Sequence, residues 1–348
     1  QVASSLMTFP YWPSRDWHTL ENEHLCFWSE NHIVMTLGSA HLMRQWRRKT
    51  GKSSGSGSGP VSEGVAASPL HAAATGSGGK VVTAPNVLDD LSDSLEEALL
   101  LSYLQAHAST EMMFEVLSHV YIPYTVSALL NLVDFSENEA IREAAGKWLS
   151  IAVKHVLLGT TDTGVVTLTA SARSFPRTRT DVVGHNINNF VYLLTGVSSD
   201  ESPGPSQVTD FMLTTKWVPS ATDMSFHLLQ GRVTLRASPT MESLRDLFHD
   251  VPATERVPFY WSAGLLLHPD FTRETKEYQH RKRLTKNDTL WIFSWVPSIA
   301  AAGLVRAYSP FSRGQTYCGF TLNIYKRHGG LCLSSFERYN EGNVSFQQ

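Results

Sequence analysis

A run of amphipathic segments between residues 86 and 159 limits the possible folds most strongly, because it predicts successive helices joined by short turns. Asn86 precedes apolar residues that recur every three or four positions, and the same spacing recurs in 110–119 and in 125–135. Short connections between consecutive helices favour antiparallel hairpins. The block therefore predicts a helical region built from stacked hairpins.

The last helix of this block carries the clearest start and stop signals. Ser136 and Glu139 have the spacing of a capping box, apolar residues that include Trp148 follow, and Gly159 suits the position after a helix C-terminus. We predict that Ser136 caps this helix and that Trp148 belongs to the core. Hairpins stacked in a line give a solenoid and hairpins stacked in a ring give a toroid. The chain has no fixed 30–45 residue period, which favours the ring.

Composition divides the chain into four predicted parts. Residues 1–49 begin an alpha/alpha toroid, and 50–80, rich in Gly, Ser and Ala, predict a mobile linker. Residues 81–197 continue the toroid, and 198–348 hold further helices and a β-richer region that we expect to be truncated. The predicted fold class is a mainly α N-terminal region of toroid-like helical hairpins, followed by an α+β, β-richer C-terminal region. Other predicted elements are strand-like 165–169, helices 185–194 and 242–249, and strands 288–295 and 317–325.

Composition and charge exclude several classes of function. The chain of 348 residues is 42% hydrophobic with a net charge of −3, so it has no basic field for nucleic acid. It contains no apolar run of membrane-spanning length. Cys26, Cys318 and Cys332 lack metal-ligand spacing, and we expect neither a metal nor another cofactor. Two sequons, at Asn287 and Asn343, permit secretion, and we expect a secreted or extracytoplasmic protein.

The pentapeptide WSENH, residues 28–32, is the most site-like local cluster. Ser29 suits a helix N-cap, and Glu30, Asn31 and His32 would then lie in the first turn, where a loop-to-helix junction can bring them into one cleft. The competing interpretation is that the acid and the amide serve the helix dipole and the free backbone amides, with His32 packed beneath.

Four segments resemble a family of large, mostly bacterial proteins in which an alpha/alpha toroid precedes a β-rich region. They are residues 27–45, 121–145, 259–269 and 324–348. In layout this family is similar to toroidal polysaccharide lyases and glycosidases, and the resemblance implies a polysaccharide or glycan partner. A Thr-His-Gly-Arg type motif is expected after the long helix. Here Ser171 replaces the His while Arg173 is kept.

The resemblance makes uronate β-elimination the leading chemistry. That reaction needs a group that neutralises the carboxylate, a base for the C5 proton and an acid for the leaving oxygen. Asn31 or Arg173 would neutralise the carboxylate, His32 or His185 would be the base, and Tyr339 the acid. The predicted substrate-binding residues are Trp28, His185, Asn188, Trp261 and His268.

Two alternatives remain open at the level of sequence. A glycosidase would need two facing carboxylates, one of which would be Glu30. The candidates for the second are Glu115, Asp134, Asp223 and Glu337. A non-catalytic carbohydrate-binding or structural protein would keep the toroid and lose the chemistry, as the missing His at Ser171 suggests.

Overall fold

Helices dominate the part of the chain that the structure, a computed structural model, describes. The described residues are 30–50, 93–111, 113, 121–166, 186–197, 207–237, 248, 251, 253, 256, 270, 273, 274, 277, 319–340 and 344–347. The helices are α1 (Glu30–Thr50), α2 (Asp93–Thr110), α3 (Ile122–Phe135), α4 (Glu139–Leu158), α5 (Asn186–Thr195), α6 (Gln207–Thr214) and α7 (Ala221–Ser225). The strands are β1 (Gly231–Ala237), β2 (Gly319–Arg327), β3 (Gly330–Asn340) and β4 (Val344–Gln347).

Four helices form the core. Helix α1 packs against α2 and α3, and α4 packs against the same two helices, so the four close on one another as a bundle. Their apolar faces supply most of the buried side chains, each of which stabilises the fold by about 1.5 to 3 kcal/mol. Fully buried examples are Ile33, Leu37, Leu104, Leu129, Leu130, Trp148 and Leu149. The predicted burial of Trp148 is confirmed.

A glycine allows α1 and α3 to approach closely. A Cβ atom built on Gly38 would lie 3.4 Å from Leu132 Cδ1, at the tight end of ordinary contact. Larger side chains at this position would push the two helices apart. Gly38 therefore allows the close packing of α1 against α3.

The predicted helix boundaries need three corrections. Helix α3 begins at Ile122 and not at Thr125, because Pro123 falls in the first turn, where a missing N–H costs nothing. Helix α2 extends to Thr110, where a new helix was predicted to begin. Glu111 follows with a φ of 53°, which breaks the helix. Most of the predicted 110–119 helix, and residues 86–92, lie outside the described residues.

The predicted capping box of α4 is wrong. Asn138 is the N-cap, and its Oδ1 accepts a hydrogen bond from the N–H of Ile141. Ser136 is buried and instead contacts His41 Nε2 through its Oγ at 2.9 Å. The N-cap lies two residues later than predicted because Ser136 is the C-cap of α3, and its Oγ accepts a hydrogen bond from the N–H of Asn138 at 3.2 Å.

The shorter helices lie outside the bundle core. Helix α6 packs against α3 and α5, and α7 packs against α4. Helix α5 confirms the predicted 185–194 helix within one residue at each end. Helices α6 and α7 were not predicted, although α7 has the capping box Ser220–Asp223. A strand-like segment was predicted at 165–169. Its residue Val166 forms an isolated β-bridge with Thr160, and residues 167–169 lie outside the described residues.

The four strands form an antiparallel sheet in the order β1-β2-β3-β4. The predicted 317–325 strand corresponds to β2, and the predicted elements at 242–249 and 288–295 lie almost wholly outside the described residues. Lys326 in β2 is 1% exposed. Its Nζ donates hydrogen bonds to the carbonyls of Leu157 at 2.9 Å, Phe226 at 3.1 Å and His227 at 3.3 Å. This lysine fastens the sheet to the C-terminal ends of α4 and α7.

The described architecture confirms a mostly helical N-terminal region. The antiparallel sheet contains residues from the last third of the chain, as the α+β prediction for 198–348 implies. The predicted 50–80 linker lies outside the described residues, and the four domain boundaries stay predictions.

Candidate functional site

Glu30, Asn31 and His32 of the WSENH motif do not face one direction. Helix α1 begins at Glu30, so Glu30, Asn31 and His32 occupy successive positions of its first turn. Glu30 and Asn31 are buried, whereas the side chain of His32 is exposed. Consecutive helical residues point about 100° apart, because 3.6 residues make one turn. The structure therefore places the acid and the amide in the interior and the imidazole at the surface.

Glu30 belongs to a buried polar and aromatic cluster that we call the Glu30 cluster: Glu30, Tyr103, His107 and Trp148. Glu30 Oε1 lies 3.3 Å from His107 Nδ1, and both side chains are almost completely buried. The ring of His107 stacks on Trp148 with centroids 3.9 Å apart and an interplanar angle of 6°. Tyr103 makes edge contacts with both rings, at centroid distances of 4.8 and 5.8 Å.

Helices α1, α2 and α4 bring this cluster together. Glu30 comes from α1, Tyr103 and His107 from α2, and Trp148 from α4. An acid, an imidazole and a phenol are the groups that proton transfer uses. Their burial gives them a second role: the acid–imidazole contact joins α1 to α2, and the stacking of the imidazole on Trp148 joins α2 to α4. Tyr103 and His107 were not identified from the sequence, although their one-turn spacing on α2 was a signal that could have indicated a contact between them.

A second polar contact joins α1 to the turn between α3 and α4. His41 Nε2 lies 2.9 Å from Ser136 Oγ, and the Gln45 amide donates to the carbonyl of Phe135 at 2.7 Å. The carbonyl oxygen of the same amide accepts a hydrogen bond from the N–H of Glu137 at 2.7 Å. Burial lowers the pKa of His41, so its imidazole is neutral at pH 7. These contacts anchor the turn from one face of α1.

The two remaining described candidates occupy different elements. Asn188 is 3% exposed in α5, and Tyr339 lies in β3 opposite Gly319 of β2. Neither belongs to the Glu30 cluster. The other predicted residues lie outside the described residues: Trp28, Arg173, His185, Trp261 and His268.

Two carboxylates that were candidates for a glycosidase pair have local structural partners. Asp134 Oδ1 accepts the N–H of Lys216 at 3.0 Å. Asp223 accepts hydrogen bonds from Ser150 and Ser220 and lies 3.7 Å from Lys154 Nζ. Burial alone would raise the pKa of Asp223, but the hydroxyl donors outweigh it and the pKa is lowered. Glu337 lies in β3 and Glu115 lies outside the described residues.

The described residues contain no group of three or more His, Cys, Asp and Glu side chains placed to hold a metal ion. Among the same residues, no helix is long and apolar enough to cross a membrane. Comparisons with protein-family models, with curated proteins and with solved structures found no match to this chain.

Proposed function

We propose that this protein is carbohydrate-active and acts on a polysaccharide by uronate β-elimination, with its helical bundle forming part of an alpha/alpha toroid. The observation that supports the proposal is the position of His32. Its imidazole is exposed in the first turn of α1, while Glu30 and Asn31 beside it pack into the bundle. An imidazole fixed at the edge of a rigid helical frame suits a base that a polymer must reach.

The proposed step removes the proton from C5 of a uronate residue. His32 takes this proton, the electron pair forms the C4–C5 double bond, and the glycosidic oxygen leaves C4 with a proton from an acid. Tyr339 remains the proposed acid, and Arg173 the group that neutralises the carboxylate. Glu30 acts as a positioning residue, because its contact with His107 holds the first turn of α1 against α2.

A second candidate, a non-catalytic glycan-binding or structural protein, is favoured by the burial of Glu30 and Asn31. Their side chains are 0% and 4% exposed, so His32 is the one polar side chain that this part of the motif presents at the surface. Elimination needs three groups at the same sugar. If Arg173 and Tyr339 do not join His32, the chain lacks that set.

The test is turnover of uronate polymers, followed by the absorbance of the unsaturated product. His32→Ala should abolish turnover and leave the melting temperature unchanged, because the side chain is exposed. Glu30→Gln should lower the melting temperature and keep measurable turnover in the folded fraction. Gln105→Ala, an exposed substitution on α2, is the control and should change neither quantity.

The outcomes separate the two candidates. Full turnover by His32→Ala would overturn the assignment of the base. Glycan binding by the wild-type chain without turnover would establish the second candidate. The absence of both binding and turnover on uronate polymers would overturn the elimination proposal and the glycan-binding form of the second candidate.

A further inference from the structure

The outer face of the antiparallel sheet carries an aromatic ring next to two arginines. We call Arg232, Tyr325 and Arg327 the sheet-face triad. Arg232 of β1 is the direct cross-strand partner of Tyr325 in β2, and all three side chains are exposed. Directly opposed side chains in antiparallel strands have Cβ atoms about 4.5 to 5.5 Å apart. Arg327 is two residues from Tyr325 on the same strand and therefore on the same face.

Alternation along β1 and β2 separates this face from the one that packs on the helices. Ile324 and Lys326 are buried, and their neighbours Tyr325 and Arg327 are exposed. In β1, Val233 packs against the core, whereas the residues on either side of it are exposed. The buried bonds of Lys326 fix which face points outward. The triad is thus a consequence of the register and cannot turn inward without losing that anchor.

The two arginines of the triad have no acidic partner among the residues that the structure describes. Within the described part of the chain, neither Arg232 nor Arg327 forms an ion pair or a hydrogen bond through its guanidinium. Asp162 lies at this end of the hairpin, but its two oxygens are occupied by the turn. They accept the N–H of Gly329 at 2.7 Å and contact His328 Nδ1 at 2.6 Å. The chain as a whole carries a net charge of −3, so the positive face is a local feature.

The next pair along the sheet extends the face with neutral polar groups. Thr234 Oγ1 donates to Asn323 Oδ1 at 2.7 Å, two register positions from the Arg232–Tyr325 pair and on the same face. The face therefore offers hydroxyl and amide groups, then a flat ring beside a guanidinium, then a second guanidinium. Hydroxyl groups, an apolar ring face and a carboxylate are the matching features of a uronic acid residue.

We propose that the sheet-face triad binds an acidic polysaccharide, with Tyr325 stacked on a pyranose ring and Arg232 and Arg327 paired with the carboxylates of neighbouring sugars. This inference rests on the proposed function and assigns a binding surface for its acidic substrate. The triad contains none of the residues proposed for the elimination step, so we assign it to substrate binding. A nucleic acid is the less suitable ligand, because two arginines do not make the extended basic surface that a phosphate backbone needs.

The test measures affinity of the full chain for polygalacturonate by calorimetry at low and at moderate salt. Methyl-esterified polygalacturonate, sulfated dextran and neutral dextran are the comparison ligands. The unesterified polymer should bind, methyl esterification should weaken binding at least tenfold, and added salt should weaken it further. Sulfated dextran distinguishes carboxylate selectivity from a general response to anions.

Variants locate the binding surface. Tyr325→Ala, Arg232→Gln and Arg327→Gln should each weaken binding about tenfold, which is about 1.4 kcal/mol, with unchanged melting temperatures. The matched controls are Tyr192→Ala, an exposed tyrosine on α5, and Lys147→Gln, an exposed cation on α4. Both controls should bind as the wild type does.

Unchanged binding by the triad variants, or equal binding of esterified and unesterified polymer, would overturn the inference. Tighter binding of a single-stranded polynucleotide, lost in the same variants, would overturn the choice of a glycan. Failure of the elimination proposal gives a different result: a wild-type chain without turnover would still lose polymer binding in the triad variants. The opposite result is also distinguishable. If the triad variants turn over short oligosaccharides and bind the polymer with full affinity, the proposed function stands and the sheet site is rejected.

Discussion

The imidazole of His107 lies parallel to the indole of Trp148, with ring centroids 3.9 Å apart and planes inclined by 6°. On its edge the same imidazole contacts the Glu30 carboxylate at 3.3 Å. One side chain of α2 therefore contacts both α1 and α4. The stability of the bundle should depend on this residue and its partners more than on any exposed ion pair.

Loss of the buried carboxylate should destabilise the fold strongly. Glu30→Ala leaves the His107 ring in the core without this acidic partner and leaves a cavity beside it. The free energy of unfolding should fall by about 3 to 5 kcal/mol, because a buried polar partner is lost and a cavity is created. Denaturant unfolding followed by far-UV circular dichroism measures the change.

The matched control is Glu139→Ala. Glu139 forms an exposed ion pair with Arg142 in the first turn of α4, so its loss should cost at most about 1 kcal/mol. Equal effects of the two substitutions would show that the Glu30 cluster does not hold the three helices together.

The contact between His41 and Ser136 should be measurable as a coupling between the two residues. Ser136→Ala removes the hydroxyl that His41 contacts and should cost about 1 to 3 kcal/mol, because the buried imidazole loses a partner. Asn138→Ala removes the N-cap of α4 and should cost about 1 kcal/mol. In double-mutant cycles, Ser136 should couple to His41. A null coupling between His41 and Ser136 would contradict the observed contact.

The sequence predicted the helices better than it predicted their polar contacts. Apolar spacing located α3, α4 and α5, because the bundle buries one face of each helix and that requirement is local in sequence. It could not show that Ser136 contacts His41, a residue 95 positions away, because such a bond depends on helix packing. The same limit applies to Glu30 and His107.

The WSENH motif illustrates this limit at the candidate site. Its residue types indicated a site, but three adjacent positions in a helix must point in different directions. Which of them enters the core is decided by where α2 and α4 pack. The short helices α6 and α7 were missed because segments of eight and five residues carry little periodicity.

Acid should destabilise the protein through His155. Burial, reinforced by Lys154, lowers the pKa of His155 to about 3 from its ordinary value of 6.5. Between these values the unfolded chain binds a proton that the folded chain does not, so stability is highest above pH 6.5 and falls as the pH drops toward 3. The slope from this one group is about 1.4 kcal/mol per pH unit.

His155→Gln isolates this contribution. The pKa values of His41 and His227 are also lowered by burial, so the wild-type curve contains their effects as well. The variant should keep those effects and show a shallower loss of stability between pH 6 and pH 4. Parallel curves for the two proteins in urea unfolding would contradict the assignment to His155.

Adjacent residues of β2 should give opposite results when replaced by methionine. Burial lowers the pKa of Lys326 to about 8, so at pH 7 the amine is charged and donates to three backbone carbonyls. Lys326→Met leaves these carbonyls without that donor and should lower the free energy of unfolding by about 1 to 3 kcal/mol. Arg327→Met removes an exposed side chain and should change stability by less than about 0.5 kcal/mol.

The effects on binding of uronate polymers should be the reverse of the effects on stability. Arg327→Met should weaken binding, and the folded fraction of Lys326→Met should bind as the wild type does. Hydrogen exchange should show faster exchange of the β1 and β2 amides in Lys326→Met alone. Equal protection in both variants would mean that Lys326 does not fasten the sheet to the helices.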